Sequence, residues 1–163
     1  MHDPSLTIRK LKPEDVEPLN RILEETGVFT DEEVATALEL MDIFLNVPGQ
    51  KDYDLYSAVI DCKEIGGYVC VGPRPLTKGT FDLYWIAVKP SSQGRGIGKK
   101  LTKFAEDIVR TQGGRLLIAE TSSLPRYKKT WEFYRSNRFE ELARIKDYYT
   151  LGDDLVIYGK YLS

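Results

Sequence analysis

Gly94, Gly96 and Gly98 stand at alternate positions between two patterned stretches. Before them, Tyr84, Trp85, Ile86 and Val88 are the aromatic and β-branched residues of a strand, closed by Pro90 and two serines. After them, Leu101, Phe104, Ala105, Ile108 and Val109 recur as one apolar stripe of a helix. A glycine-rich loop is thus expected where a strand hands over to a helix N-terminus. Unpaired amides and the positive end of the helix dipole make such a place chemically suited to phosphate. Two common phosphate loops are excluded by spacing. A P-loop needs glycine at 93 and a hydroxyl at 100, where this chain has Gln93 and Lys100. The dinucleotide loop needs a third glycine where Lys99 stands. What fits is Q-x-x-G-x-G over Gln93, Gly94, Arg95, Gly96, Ile97 and Gly98, either as a phosphate cradle or as a tight turn.

Other chemistries have few residues to work with. His2 is the single histidine, and Cys62 and Cys70 are the two cysteines, so neither a disulfide framework nor a four-cysteine metal site is available. No metal is expected. The net charge of −2 argues against general nucleic-acid binding, which calls for a basic surface. No apolar run of membrane-spanning length and no signal peptide are recognised, so a cytoplasmic location is expected. At 163 residues the chain is expected to fold as a single domain over residues 5–163.

The elements that must position the loop follow from periodicity. Leu6 to Leu11 alternates as a half-buried strand does. Pro13-Glu14-Asp15 opens a helix with the stripe Val16, Leu19, Ile22 and Leu23, ended by Gly27. Thr30 with Glu33 is a capping-box pattern before a second helix, and Phe29 just ahead is either a staple on that helix or a lining residue for an acceptor. Tyr53–Ile60 and Ile65–Val71 read as a hairpin with a bulge or close approach at Gly66-Gly67. Arg115 to Ala119 reads as a buried strand ending in polar Glu120-Thr121-Ser122-Ser123, and a helix is expected from Pro125. Phe139–Lys146 and Leu155–Leu162 read as closing strands, with Asp147, Tyr148, Tyr149, Asp153 and Asp154 in the loop between them.

This element order, together with the Q-x-x-G-x-G loop, resembles the GNAT superfamily of acyl-CoA-dependent N-acyltransferases. A second segment, Phe133-Tyr134-Arg135-Ser136-Asn137-Arg138-Phe139-Glu140, is similar to the family's F-Y-x-x-x-G-F-E, with Arg138 in place of its glycine. That glycine ends the helix in a left-handed turn, so Arg138 must adopt a strained conformation or a different cap is needed. Tyr127 stands where many relatives carry an asparagine that contacts pantetheine, and that contact is not carried over. The resemblance implies an α/β fold with a central, mostly antiparallel sheet of six to seven strands. It also implies a splayed strand pair and about four flanking helices.

The resemblance further implies acetyl-CoA as cosubstrate and a primary amine as acceptor, on a small molecule, a peptide N-terminus or a lysine, with a homodimer left open. It assigns the backbone of Ile86, Ala87 and Val88 to the pantetheine. The amides from Gly94 through Lys99 take the pyrophosphate, flanked by the side chains of Gln93 and Arg95. Tyr134, beside the cofactor, is the family's candidate partner for the departing thiolate. No histidine is available as a base, so the carboxylates Glu120 and Asp82 are the candidates to relay the ammonium proton. The rival is a catalytically silent acyl-CoA-binding module. It would keep the glycine loop without the acid and base groups.

Overall fold

The structure, a computed structural model, describes residues 5–163. His2 therefore lies outside the described residues. Among the described residues, seven strands form one mixed sheet in the order β1-β2-β3-β4-β5-β7-β6, with four α-helices. The described residues fall into two compact units, one comprising the residues up to Gly72 with Trp85–Ala105 and the other Pro73–Tyr84 with Glu106–Ser163.

In the first unit, β1 (Leu6–Lys10) pairs antiparallel with β2 (Asp54–Ile60), and β2 with β3 (Glu64–Pro73). Helix α1 (Val16–Glu25) buries Leu19, Ile22 and Leu23, the expected stripe. Pro18 falls in its first turn, where no intrahelical acceptor exists for an amide anyway. Asp15, expected only as a favourable charge at the helix start, is instead buried. It receives Arg9 through both oxygens (2.6 and 3.0 Å), the Lys12 amide (2.9 Å) and the Ser57 hydroxyl (2.8 Å). Helix α2 (Asp31–Asn46) starts with both bonds of the capping box: Thr30 N donates to Glu33 (2.7 Å) and Glu33 N donates to the Thr30 hydroxyl (3.1 Å). Leu19, Leu23, Met41, Leu55 and Cys70 are fully enclosed in the core of this unit.

The hairpin carries the expected irregularity. Register passes from Ala58↔Gly67 to Val59↔Ile65, leaving Gly66 as the bulged residue. Its neighbour Gly67 has a separate reason to be glycine, because a Cβ there would collide with the carbonyl oxygen of Ala87 on β4 (Thr80–Val88). Helix α3 (Ile97–Thr111) buries Leu101, Ala105 and Val109. It ends with Gly113 at positive φ, the Gly114 amide reaching back to Val109 O (2.8 Å).

In the second unit, β5 (Leu116–Ser122) pairs antiparallel with β7 (Asp153–Tyr161), and β7 with the edge strand β6 (Glu140–Thr150). Strand β5 runs through Glu120, Thr121 and Ser122, which the polarity change had placed beyond it. The closing hairpin differs more. Tyr148, Tyr149, Asp153 and Asp154 belong to strands, and the connection shrinks to Leu151-Gly152. A register break between Ile145 and Thr150 disrupts the alternation that would have revealed β6. Asp154 accepts the Asp147 amide (2.9 Å) and Asp147 accepts the Gly152 amide (2.8 Å), so these carboxylates build the turn. Asp153 is buried and receives the Ser122 hydroxyl.

Candidate active site

The glycine loop has the conformation its composition demands. Gly94 and Gly96 lie at φ +81° and +80°, in the left-handed region where a Cβ is disfavoured. An added Cβ would meet nothing within 4 Å at either position, so backbone conformation rather than packing requires glycine there. The carbonyl of Gly96 accepts the Lys100 amide (3.0 Å), which makes Gly96 the residue that caps α3. By helix geometry the amides of Ile97, Gly98 and Lys99 then have no intrahelical acceptor. A short 3-10 turn (Pro90–Ser92) joins β4 to the loop, and the Gln93 side chain donates back to Val88 O (3.3 Å). This donor set suits a diphosphate, since consecutive amides at the positive end of a helix complement negative charge without a side chain in the way. Ile86, Ala87 and Val88 form the end of β4 just before it.

The two carboxylates singled out from sequence meet in the second unit. The parallel β4–β5 ladder covers Thr80↔Leu116, Phe81↔Leu117 and Asp82↔Ile118 and stops there, which is the expected splay. Asp82 and Glu120 share one face of these strands, because Asp82 pairs with Ile118 and Glu120 lies two residues further along β5. One nitrogen of Arg74 donates to both, to Asp82 Oδ1 at 3.2 Å and to Glu120 Oε1 at 3.3 Å. Asp82 is 5% exposed, and its Oδ2 is buried with no hydrogen-bond partner. Burial pushes its carboxyl above the usual range, while Arg74 and the Tyr84 hydroxyl pull the other way. Glu120 keeps more than a third of its side-chain surface open to solvent.

Tyr134 sits on α4 (Lys128–Ser136) inside an aromatic cluster, stacked on Tyr158 (5.6 Å between centroids) and tilted against Phe139 (5.5 Å) and Phe133 (5.8 Å). Burial raises its phenol pKa well above the ordinary value. The helix ends as a glycine would end it. Arg138 takes φ +66°, its amide bonds Arg135 O (3.0 Å), and the Phe139 amide bonds Tyr134 O (2.9 Å). The strained conformation is therefore the outcome. Tyr127 is buried at the start of the same helix, with Arg126 lying 5.0 Å over its ring.

The model of the GNAT acetyltransferase domain matches residues 51–141, more than half of the chain. A crystal structure of a GNAT-family protein from Desulfovibrio desulfuricans superposes with a TM-score of 0.92 at 40% identity, over 98% of this chain and 100% of that one. The chain belongs to the GNAT family. More distant likenesses reproduce the fold. An aminoglycoside 6′-N-acetyltransferase complexed with coenzyme A gives a TM-score of 0.73 at 17% identity, over 95% of this chain and 96% of that one. The ribosomal-protein-S18-alanine N-acetyltransferase from Escherichia coli gives 0.72 at 20%, over 98% and 95%. A search of curated protein sequences returned no match.

In this GNAT protein the residue that sequence reading passed over is Arg74. It lies in a loop pinned by Pro73 and Pro75 and closed by the Arg74 amide on Thr80 O (2.8 Å). Nothing local marks it, because Glu120 lies 46 residues away. Phe29 turns out to pack on Trp85 of β4, with centroids 5.4 Å apart. Among the described residues no group of histidine, cysteine, aspartate and glutamate could hold a metal ion, and no helix is long and apolar enough to cross a membrane.

Proposed function

We propose that this GNAT protein transfers an acetyl group from acetyl-CoA to a primary amine by direct attack with both substrates bound. The observation that carries the reading is the pair of left-handed glycines before α3, with Gly96 as its cap, which leaves the first amides of the helix without an intrahelical acceptor. When bound, acetyl-CoA supplies an activated thioester. The backbone of Ile86 to Val88 would pair with the pantetheine, and the amides from Gly94 through Lys99 would hold the diphosphate. Gln93 and Arg95 flank that loop, and the Val88 amide is the candidate donor to the thioester oxygen.

Two proton problems remain for side chains. An alkylammonium with a pKa of about 10.4 is overwhelmingly protonated at pH 7 and must lose a proton before it can attack. Glu120, more than a third open to water, is the group suited to relay that proton, with Asp82 beside it. Tyr134 is suited to donate a hydrogen bond to the departing thiolate. Its raised pKa argues against full proton transfer, since a phenol is already a weaker acid than a thiol by about 1.5 units.

The deciding experiment measures free thiol released from acetyl-CoA with and without a panel of small amines, peptide N-termini and lysine peptides, with mass detection of the product. Release that depends on amine supports the enzyme. Coenzyme A binding without amine-dependent release would favour the silent binding module. A Gly96→Glu variant carries the left-handed penalty of about 1–2 kcal/mol but meets no protein atom nearby, so it should stay folded, as circular dichroism would check, yet lose coenzyme A binding. Retained binding would refute the assignment of the loop.

A further inference from the structure

We infer that Trp131 is a positioning residue for Tyr134: its indole N–H, bonded to the carbonyl at the end of β5, fixes where the tyrosine hydroxyl stands. This inference rests on the role proposed for Tyr134. Trp131 lies three residues before Tyr134 on α4, so the two side chains share one face of that helix. With nine residues and no side-chain cap at Tyr127, the helix takes its place from tertiary contacts rather than from its own hydrogen bonds. Those contacts are of two kinds. Tyr134 buries ring surface against Tyr158, Phe139 and Phe133. Burial of this kind is non-directional, so it holds the phenol in the cluster without setting how far its hydroxyl reaches. The bond from Trp131 Nε1 to Ser122 O, at 2.9 Å, is directional.

The acceptor of that bond is itself held. The Ser122 hydroxyl donates to buried Asp153 on β7 and accepts the Leu124 amide (3.0 Å). Ser123 adds two bonds to the same strand: its amide donates to Asp154 O (3.0 Å), and its hydroxyl accepts the Asp154 amide (2.7 Å). The end of β5 is thus tied to β7, which also carries Tyr158, the ring on which Tyr134 stacks. Trp131 therefore refers the helix and the stacking partner to one anchored carbonyl. Such precision bears on the reaction because a donor moved by about 1 Å from an ordinary contact no longer makes its hydrogen bond.

The test removes the indole N–H. Trp131→Phe is compared with wild type, as is protein in which β-(3-benzothienyl)alanine, with sulfur in place of the N–H, replaces both tryptophans biosynthetically. The analogue keeps the ring shape, and the buried indole nitrogen of Trp85 has no partner to lose, so the bond of Trp131 is the one removed. In a crystal structure of the analogue protein the Tyr134 hydroxyl should stand about 1 Å from its wild-type place. Acetyl transfer should slow in kcat by about three- to tenfold, with KM for acetyl-CoA changed less than about twofold. In a Tyr134→Phe background the same replacement should slow transfer by less than about twofold, because no hydroxyl remains to be misplaced. Equal losses in both backgrounds, undiminished turnover or an unmoved hydroxyl overturns the inference. Should Trp131→Phe not fold, the analogue protein decides alone. A wild-type protein that acetylates no amine would contradict the acetyltransferase reading, while a displaced hydroxyl in the analogue protein would still show that Trp131 sets its position.

Discussion

At the scale of single residues, two side chains show how much one conformation or one burial event can matter. Arg138 occupies the left-handed position that closes α4, which costs a residue with a Cβ about 1–2 kcal/mol. Replacing it with glycine should stabilise the protein by about 1 kcal/mol, or roughly 2–4 °C in a thermal melt. An unchanged or lowered melting temperature would mean that the arginine side chain compensates through contacts of its own. Asp15 is the opposite case, a buried charge answered by four donors from β1, β2 and the segment that follows β1. Its pKa is lowered, although burial, the largest influence, pushes it up, because Arg9, Lys12 and Ser57 together outweigh that push. A depressed folded pKa means that the unfolded chain binds the proton more tightly. The stabilisation from Asp15 is therefore complete above the ordinary carboxylate range and is lost as pH falls through the depressed value. Asp15→Asn should cost about 3 kcal/mol near neutrality, as expected when one partner of a buried pair is removed. In urea titrations the gap between wild type and variant should shrink below about pH 4. A gap independent of pH would show that packing, not charge, accounts for the loss.

At the scale of elements, glycines set the path of the chain for two distinct reasons. On β3, Gly67 lets the Ala87 carbonyl of β4 approach, and no Cβ fits there without moving backbone. In the loop before α3, Gly94 is needed only for its positive φ. The two alanine variants should separate these causes. Gly94→Ala should cost about 1 kcal/mol, the ordinary left-handed penalty, while Gly67→Ala should cost about 2–3 kcal/mol or more, in the range of overpacking. Equal losses in chemical denaturation would remove the distinction. The edge strand β6 is a further element with its own logic. All its residues are exposed, and Glu140, Glu141, Arg144, Lys146 and Asp147 keep charge along an edge that would otherwise pair with other chains.

At the scale of the whole molecule, the proposed reaction gives Tyr134 a role beyond packing in its aromatic cluster. Tyr134→Phe tests that link with little structural disturbance, since the ring stack on Tyr158 and Phe139 is kept. Its fold and its affinity for coenzyme A should be nearly normal, while acetyl transfer should slow by about tenfold or more, the effect of one lost hydrogen bond. Undiminished turnover would leave the tyrosine a core residue. What the sequence by itself determined was whatever depends on neighbours along the chain. Examples are the Thr30–Glu33 cap, the stripe of α3, the bulge at Gly66-Gly67, the glycine loop, and the conflict at Arg138. In each, a few adjacent residues carry both the cause and its consequence. The tertiary structure alone decided that Asp15 faces Ser57, 42 residues away, and that Arg74 joins Asp82 to Glu120. It also decided that Tyr148 and Tyr149 lie on a strand. Charge pairing across distant elements leaves no period in a sequence, and a register break erases the period that a strand would otherwise show.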